Sequence, residues 1–233
     1  MDEFAAKRQA LLESGVRMMD PGAVYVEAGV TVGAGTLLLP GTILRGNTVV
    51  GENCEIGPNT MLTDCTVGDG AVINSSQCNE STIESGAHVG PFAYIRPNCH
   101  VGRDVKVGDF VELKNSTIGD GTKIAHLTYV GDADVGHRVN FGCGTVLVNY
   151  DGNRKYRTTI GDDCFIGCNT NLVSPVHVGD GAYTAAGSTI TEDVPAGALA
   201  IERGYQKTVE NWAGKKLAGR IAKALSLIHI SEP

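Results

Sequence analysis

The sequence has few aromatic side chains and no long hydrophobic run. Aromatic residues make up 6% of its 233 residues, with a single Trp, which suits a narrow protein interior. No apolar stretch approaches the roughly 20 residues of a membrane-spanning helix. No basic segment followed by an apolar one opens the chain, so we expect no secretory leader.

The chain also lacks excess positive charge and paired cysteines. Its formal net charge of −7 gives no basic field for binding nucleic acid. The seven cysteines are Cys54, Cys65, Cys78, Cys99, Cys143, Cys164 and Cys168. They show no C-x-x-C spacing, so we expect reduced thiols, no zinc knuckle and a cytoplasmic protein.

What the chain has instead is glycine, 31 residues in all, and a six-residue repeat. Aliphatic or small residues recur at every sixth position in two long runs. The runs are Ile83, Val89, Ile95, Val101, Val107 and Leu113, and then Ile160, Ile166, Leu172, Val178, Thr184 and Ile190. A hexad repeat is typical of a parallel β-helix, in which each hexad forms one short strand and one corner. Three hexads predict a triangular coil of about eighteen residues, with coils stacked roughly 4.8 Å apart by parallel strand pairing.

The repeat divides the chain into four parts. Residues 1–20 lack it and carry apolar residues at helical spacing, which predicts a helical arm ended by a D-P-G segment. Residues 21–201 are predicted to form the β-helix. Residues 202–225 are predicted to be an extension with a short basic helix from Val209 to Leu225. The last segment, Ser226 to Pro233, fits neither pattern, and we expect a disordered or artefactual tail.

The repeat is interrupted at several places. Three of its steps contain five residues, from Leu62 to Val67, from Leu113 to Ile118 and from Val130 to Val135. One step contains thirteen residues, between Leu147 and Ile160, and its segment V-N-Y-D-G-N-R-K-Y-R-T is polar, basic and aromatic. Long loops on a rigid scaffold often carry function, so this insertion is predicted to complete the site.

Counting in coils predicts which side chains are neighbours. Arg96 and Lys114 are one coil apart, each directly after an inward residue, and should stack on one edge. Glu112 and Tyr129 should stack in the same way, and His126 lies in the corner that leads into their face. We therefore predict that one corner collects these residues and the insertion. Two stacked cations with no acid in register between them suggest a phosphate ligand, and a His near a carboxylate suggests a general base.

The remaining histidines give no support to a metal site. His88, His100 and His177 precede inward positions on strand exteriors, and His137 lies in a corner. A β-helical carbonic anhydrase of the γ class needs three His ligands around an open zinc position. The close His pair expected of that class is absent, so we disfavour this rival and predict no metal.

Three motifs make the chain resemble a known family. They are A-H-L-T-Y-V-G-D at Ala125–Asp132, V-N-F-G-C-G-T at Val139–Thr145 and N-Y-D-G-N-R-K at Asn149–Lys155. From about Asp20 to Trp212 the chain resembles the acetyltransferase half of the bacterial bifunctional N-acetylglucosamine-1-phosphate uridyltransferase/glucosamine-1-phosphate acetyltransferase. The hexad alone would indicate only the wider acyltransferase superfamily. The resemblance implies an all-β fold whose parallel β-helix is left-handed, a property that periodicity cannot reveal, and a homotrimer.

The resemblance also implies an activity and a set of site residues. The activity is acetyl transfer from acetyl-CoA to the amine of glucosamine 1-phosphate, a step toward UDP-N-acetylglucosamine and the cell wall. His126 matches the catalytic base, and Glu112 matches an acid that helps hold the base or the sugar. The positions that match sugar-phosphate contacts are Arg96, Lys114, Tyr129, Asn140 and Lys155. Those that match acetyl-CoA contacts are Cys143, Asn149, Tyr150, Cys168, Ala186 and Arg203.

Cysteine occupies two of these cofactor positions, where the family commonly has Ala at Cys143 and Ser at Cys168. Contacts through the backbone would tolerate both changes, whereas a contact through a Ser hydroxyl would be lost. A covalent acetyl-cysteine route is not favoured, because neither thiol is predicted to lie beside a base.

The uridyltransferase half of the family has no counterpart in these 233 residues. No Gly-rich nucleotide loop of that type occurs, so we expect no use of UTP, and Mg²⁺ only in that other half. Two further functions remain open. One is a hexapeptide acyltransferase for another amino sugar or a nucleotide sugar, and the other is a non-catalytic β-helix that serves in assembly.

Overall fold

Short strands of two to four residues, each followed by a corner, wind through residues 17–200 as a left-handed parallel β-helix. The computed structural model describes residues 3–228. The chain divides between Arg203 and Gly204 into two units. The first unit holds the β-helix, which confirms the predicted fold class.

Three parallel sheets form the faces of the β-helix. The strands of sheet A are Arg17–Met18, Leu37–Leu38, Glu55–Ile56, Val72–Ile73, His88–Val89, Lys106–Asp109, Lys123–His126, Asn140–Phe141, Phe165–Ile166, Tyr183–Thr184 and Leu199–Ala200. The strands of sheet B are Tyr25–Val26, Ile43–Arg45, Met61–Thr63, Gln77–Asn79, Tyr94–Ile95, Glu112–Lys114, Tyr129–Gly131, Val146–Val148, Asn171–Val173 and Thr189–Ile190. The strands of sheet C are Thr31–Val32, Val49–Val50, Thr66–Val67, Thr82–Ile83, His100–Val101, Thr117–Ile118, Ala133–Val135, Thr158–Ile160 and Val176–Val178.

The core is the column of inward hexad positions. All twelve residues of the two predicted runs are buried, and Ile95, Val107 and Leu113 have no exposed surface. The five-residue steps shorten a corner without moving the next inward residue, as predicted. Two more such steps, which were not predicted, surround Cys78, a fully buried thiol in an inward position. Each coil therefore buries the inward residue of every strand together with the corner residue two positions before it, such as Val105 and Val111. The outward neighbours of the inward residues are left to form sites.

The N-terminal helix, α1, is shorter than predicted. It spans Glu3–Glu13, and Arg17–Met18 already pairs as a strand with Leu37–Leu38. Leu11 of the helix is buried, because α1 packs on the first coil and the chain must then turn into the stack. A 3-10 turn at Pro21–Ala23 follows, capped by Asp20, whose carboxylate accepts a hydrogen bond from the Gly22 amide at 3.0 Å.

The second unit contains one helix, α2, at Trp212–Ile228. It begins and ends three residues later than the predicted helix, so the first residues of the predicted tail are helical. Residues 229–233 of that tail lie outside the described residues. Trp212 is exposed, and the Lys216 ammonium lies 5.5 Å from the centre of its ring. Within residues 3–228 no helix combines the length and apolar character needed to cross a membrane.

Candidate functional site

His126 ends a strand of sheet A with its ring against a carboxylate. Asp109 ends the strand one coil earlier, and the parallel register pairs the two residues. Asp109 Oδ1 lies 2.7 Å from His126 Nδ1, and both side chains are accessible to solvent. The hydrogen bond from His126 lowers the pKa of Asp109, so this carboxylate is ionised and can only accept. The Nδ1 hydrogen of His126 therefore points at Asp109, and Nε2 is left as the basic nitrogen.

The acid that contacts His126 is Asp109, which was not among the predicted site residues. Glu112 instead accepts a hydrogen bond from Arg96 Nη1 at 2.9 Å. Asp109 precedes His126 by 17 residues, so counting back one coil from the base would have found it. The role of Glu112 toward the sugar stays a prediction.

Two ion pairs lie at the end of the sheet B strands. Arg96 pairs with Glu112, which raises the pKa of Arg96, and Lys114 Nζ lies 2.8 Å from Asp132 Oδ2. No acid lies in register between Arg96 and Lys114, as predicted, but both cations are paired with carboxylates, which was not predicted. The register sets Lys114 beside Gly131, so Asp132 lies one residue further along the next coil, beside Asn115, and still reaches the Lys114 ammonium. Each stacked cation is therefore neutralised by its own carboxylate.

Asp132 is a nearly buried hub of hydrogen bonds. Only 6% of the residue is exposed. Its carboxylate accepts hydrogen bonds from Lys114 at 2.8 and 3.0 Å, from Asn115 at 2.6 Å and from Asn149. Burial raises the pKa of Asp132, but these hydrogen bonds outweigh burial and lower it. The side chain of Asn149 is thus engaged within the chain, and its amide also lies 3.4 Å from the Tyr129 hydroxyl.

The insertion is an ordered turn at residues 149–157, between strands of sheets B and C. Tyr150 and Lys155 pair as an antiparallel bridge across it. Asp151 Oδ1 accepts hydrogen bonds from the backbone amides of Asn153 and Arg154, at 2.7 and 2.6 Å. These bonds hold the insertion in one shape and carry its basic residues outward.

Arg157 anchors the returning end of the insertion. Its guanidinium pairs with the Asp134 carboxylate, which lowers the pKa of Asp134. It also donates to the carbonyl oxygens of Ala133, at 2.9 Å, and Asn115, at 3.0 Å. Arg157 was not among the predicted site residues, because these partners become its neighbours only after the insertion folds back.

Lys155 gives the sheet B cluster an excess positive charge. With Arg96 and Lys114 there are three cations against two carboxylates, Glu112 and Asp132, which leaves a net charge of one. Contact with Lys114, and then the charge of Lys114, lowers the pKa of Lys155. Lys155 therefore lies in a positive potential that an anionic ligand would relieve.

The site residues divide between the two edges of sheet B. His126 and Asp109 lie at the edge shared with sheet A, whereas Arg96, Lys114 and Lys155 lie at the edge shared with sheet C. The prediction that one corner collects them all was wrong. His126 follows an inward residue of sheet A, and the two stacked cations follow inward residues of sheet B, so a full strand separates the base from the cations.

Three of the predicted cofactor positions follow the edge between sheets A and B, whereas Asn149 and Tyr150 lie in the insertion. Cys143, Cys168 and Ala186 occupy the corner position of His126 in the next three coils, because each lies two residues after an inward residue. Backbone hydrogen bonds of 2.8–3.1 Å join these successive corners. The Arg203 guanidinium donates to the Ala186 carbonyl at 3.0 Å. The expectation that neither thiol lies beside a base was wrong for Cys143, which is one coil from His126.

Two further predicted residues lie close to these edges. Asn140 is on sheet A, next to Lys123 in the register. Tyr150 is exposed, and its hydroxyl donates to the Gly152 carbonyl at 2.7 Å. Their roles toward ligands stay predictions. Across residues 3–228 no group of three or more His, Cys, Asp or Glu side chains is arranged to hold a metal ion.

Comparisons with known proteins identify the six-residue repeat and several sequence relatives. Residues 29–64, 80–115 and 157–192 match the family model described as bacterial transferase hexapeptide (six repeats). The chain is 56% identical over 205 residues to the bifunctional protein GlmU of Clostridium perfringens, which covers 88% of this chain and 45% of that protein. It is 51% identical over 203 residues to the protein of the same name from Clostridium botulinum, with 87% and 44% covered.

The matched region is only part of those relatives, because this chain spans less than half of their length. Among solved structures, the UDP-N-acetylglucosamine acyltransferase of Francisella novicida superposes with a TM-score of 0.53. The two chains are 17% identical over 79% of this chain and 66% of the other, a likeness of fold alone.

Proposed function

We propose, from its resemblance to the GlmU proteins, that this hexapeptide-repeat chain transfers an acetyl group from acetyl-CoA to the amine of glucosamine 1-phosphate. The observation that carries the proposal is the hydrogen-bonded pair of His126 and Asp109 on an exposed corner. A base whose one nitrogen is held by an acid and whose other nitrogen is free is the group that amine acetylation needs.

His126 acts as the general base of the reaction. Its Nε2 takes a proton from the sugar ammonium, and the free amine attacks the carbonyl carbon of the thioester. A C–N bond forms, the C–S bond breaks, and the CoA sulfur leaves as a thiolate that is then protonated. Asp109 keeps Nδ1 protonated and stabilises the imidazolium that forms.

The sheet B cluster binds the sugar phosphate. Arg96 and Lys114 are pre-oriented by their carboxylates, so they can donate hydrogen bonds to phosphate oxygens without first being ordered. Lys155 supplies the charge that those carboxylates do not neutralise. Glu112, which belongs to this cluster, and Tyr129, its neighbour in the register, lie nearer the His126 edge, where they can contact the sugar ring.

The reacting groups meet between copies of the chain in a homotrimer. His126 and the cations lie at opposite edges of sheet B, so a second copy packed against that face brings one edge to the other. A repeated head-to-tail contact of this kind forms a closed ring when its rotation closes, as a threefold rotation does. Acetyl-CoA then lies along the corner row of Cys143, Cys168 and Ala186, beside Asn149 and Tyr150 and with Arg203 at its end, whereas Asn140 contacts the sugar.

The reaction takes place in the cytoplasm. The chain has seven thiols and no disulfide among its described residues, which suits a reducing compartment. Acetyl-CoA is the acyl donor, and the product feeds the synthesis of UDP-N-acetylglucosamine.

A thiol-release assay tests the substrate assignment. Purified protein is expected to release CoA from acetyl-CoA when glucosamine 1-phosphate is present, and to release none without an amine. Glucosamine without the phosphate is expected to react with a much higher KM, because the cation cluster has no anion to bind. Faster turnover with UDP-glucosamine would favour the nucleotide-sugar alternative. Absence of acetyl-CoA binding by calorimetry would favour an assembly module.

Substitution Lys155→Ala tests the phosphate site. It is expected to raise the KM for glucosamine 1-phosphate roughly tenfold or more, the effect of losing one hydrogen bond to a charged group. The KM for acetyl-CoA serves as the internal reference. Lys123→Ala removes an exposed lysine from sheet A and is the matched control. Equal effects of the two substitutions on the KM for the sugar would contradict the assignment.

A further inference from the structure

Two of the seven cysteines are exposed and stack on one corner of the β-helix. Cys143 and Cys168 face solvent, whereas the other five thiols are buried. We propose that Cys143 and Cys168 form a redox-active dithiol that exchanges with small-molecule disulfides and closes into a reversible Cys143–Cys168 bond. The pair is a modification site of the chain, distinct from the proposed acetyl transfer, although His126 is its neighbouring base.

The parallel register brings the two thiols together. Phe141 pairs with Ile166 on sheet A, and each cysteine lies two residues after its member of that pair. The Asn169 amide donates to the Cys143 carbonyl at 2.8 Å, which fixes the two corners against each other. Equivalent residues of adjacent coils are roughly 4.8 Å apart. That spacing lies within the Cα–Cα range of about 4.4–6.8 Å found for disulfides.

The corner geometry makes the bond possible but strained. Each cysteine is followed by a left-handed residue, Gly144 at φ 77° and Asn169 at φ 54°, so the two turns have the same shape. Side chains that leave equivalent turns run parallel, which keeps the Cβ atoms near the coil spacing rather than the roughly 3.8 Å of a relaxed disulfide. Strained and exposed disulfides are the ones that are readily reduced and exchanged. The pair therefore suits reversible oxidation rather than structural support.

His126 is the neighbouring base on the same corner. It lies one coil from Cys143 and is accessible to solvent, so its Nε2 can take the proton of the thiol. The Cys143 thiolate attacks a small-molecule disulfide and forms a mixed disulfide, releasing one thiolate that takes up a proton. The deprotonated Cys168 sulfur then displaces the second small thiol. The two cysteines are oxidised to one disulfide, and the small disulfide is reduced to two thiols.

The buried thiols do not compete for the oxidant. Burial raises the pKa of Cys54, Cys65, Cys78, Cys99 and Cys164. The thiolate is the reactive form, so these five react slowly as well as being covered.

Oxidation is expected to affect cofactor binding, a consequence that rests on the proposed function. Both cysteines lie in the corner row between His126 and Ala186, along which acetyl-CoA is proposed to bind. A bond between them pulls the two side chains together across that surface. The dithiol itself stands on the register and exposure of the two residues, and it is tested without any measurement of activity.

Thiol counting and mass spectrometry on the full chain test the dithiol. A colorimetric thiol reagent is expected to titrate two thiols in the native, reduced protein and none after treatment with glutathione disulfide. The intact mass is expected to fall by two hydrogen atoms, and reductant is expected to restore it. Tryptic cleavage separates Cys143 from Cys168, and the expected product is one disulfide-linked pair of peptides. Fragmentation must assign the second sulfur to Cys168 rather than Cys164, which lies in the same peptide.

The single variants supply the controls. Cys143→Ala and Cys168→Ala are each expected to hold one stable glutathione adduct in place of the internal bond. Stable adducts on both cysteines of the unmodified chain, or a bond between two chains on a non-reducing gel, would overturn the proposal. In the thiol-release assay, oxidation of the chain without substitutions is expected to raise its KM for acetyl-CoA roughly tenfold, as for one lost hydrogen bond. A linked peptide without that change would retain the dithiol and contradict only the proposed cofactor surface.

Discussion

Replacement of His126 by alanine is expected to lower kcat for acetylation of glucosamine 1-phosphate by about 10²-fold or more, the usual contribution of a general base. The KM for acetyl-CoA is expected to change little, because the imidazole acts on the amine. Steady-state rates across a range of pH measure the effect. His88→Ala removes another exposed histidine of sheet A and is the matched control. Unchanged turnover in the His126 variant would eliminate it as the base.

A substitution of Asp109, the partner of His126, provides a second test of the same site. Asp109→Asn keeps the shape of the side chain but can present its NH₂ group to His126, which favours the wrong tautomer. We expect a loss of roughly tenfold or more in kcat and a displaced acidic limb of the pH profile. A merely structural role for Asp109 would lower the amount of folded protein and leave the shape of the pH profile unchanged.

Substitution Asp132→Asn is expected to cost about 3 kcal/mol of unfolding free energy. Asp132 and Lys114 keep only 9% and 16% of their side-chain surfaces exposed, so the substitution leaves a largely buried ammonium without its counter-charge. The shift of the denaturant midpoint at fixed protein concentration measures this cost. Asp64→Asn is the matched control, because Asp64 occupies the same left-handed corner position, at φ 51°, and is exposed. A similar shift in both variants would argue against the buried pair.

The loss of stability caused by Asp132→Asn is expected to depend on pH. Folding lowers the pKa of Asp132, so its stabilisation is complete above the ordinary carboxyl pKa and is lost as the pH falls through the lowered value. The difference in stability between the unmodified chain and the Asn variant is therefore expected to shrink in acid. A difference that stays constant down to the acid-unfolding range would show that the charge of Asp132 is not its cause.

The six-residue periodicity predicts the core residues and strand neighbours, because these depend only on a regular coil. Ile95 and Leu113 could be assigned to the core from the hexad, and the Glu112–Tyr129 pairing follows from counting one coil across a five-residue step. The contact of Asp109 with His126 was accessible to the same count but was overlooked, because only residues next to inward positions were considered.

Side-chain contacts are harder to predict, because a polar side chain can contact any of several neighbouring groups. Asp132 follows a Gly in what reads as a turn, so its sequence context does not reveal that it pairs with Lys114. Cys143 and Cys168 are stacked although 25 residues separate them, because the insertion lengthens that coil beyond the usual repeat. Counting in eighteens therefore fails where the chain departs from the repeat, and there the sequence alone does not identify neighbours.

Arg157 changes the mechanics of the stack at this point. In a repeat protein each unit contacts only the next one, so stability behaves as a sum of nearest-neighbour terms and opening can propagate from one unit to another. Arg157 bonds to Asp134 and Ala133 in the adjacent coil and also to Asn115 in the coil beyond. It thereby adds a next-nearest-neighbour coupling to a one-dimensional array. Local fraying that reaches these coils must break hydrogen bonds among three coils at once. We therefore expect the residues of the proposed phosphate site to stay in place when other parts of the stack open.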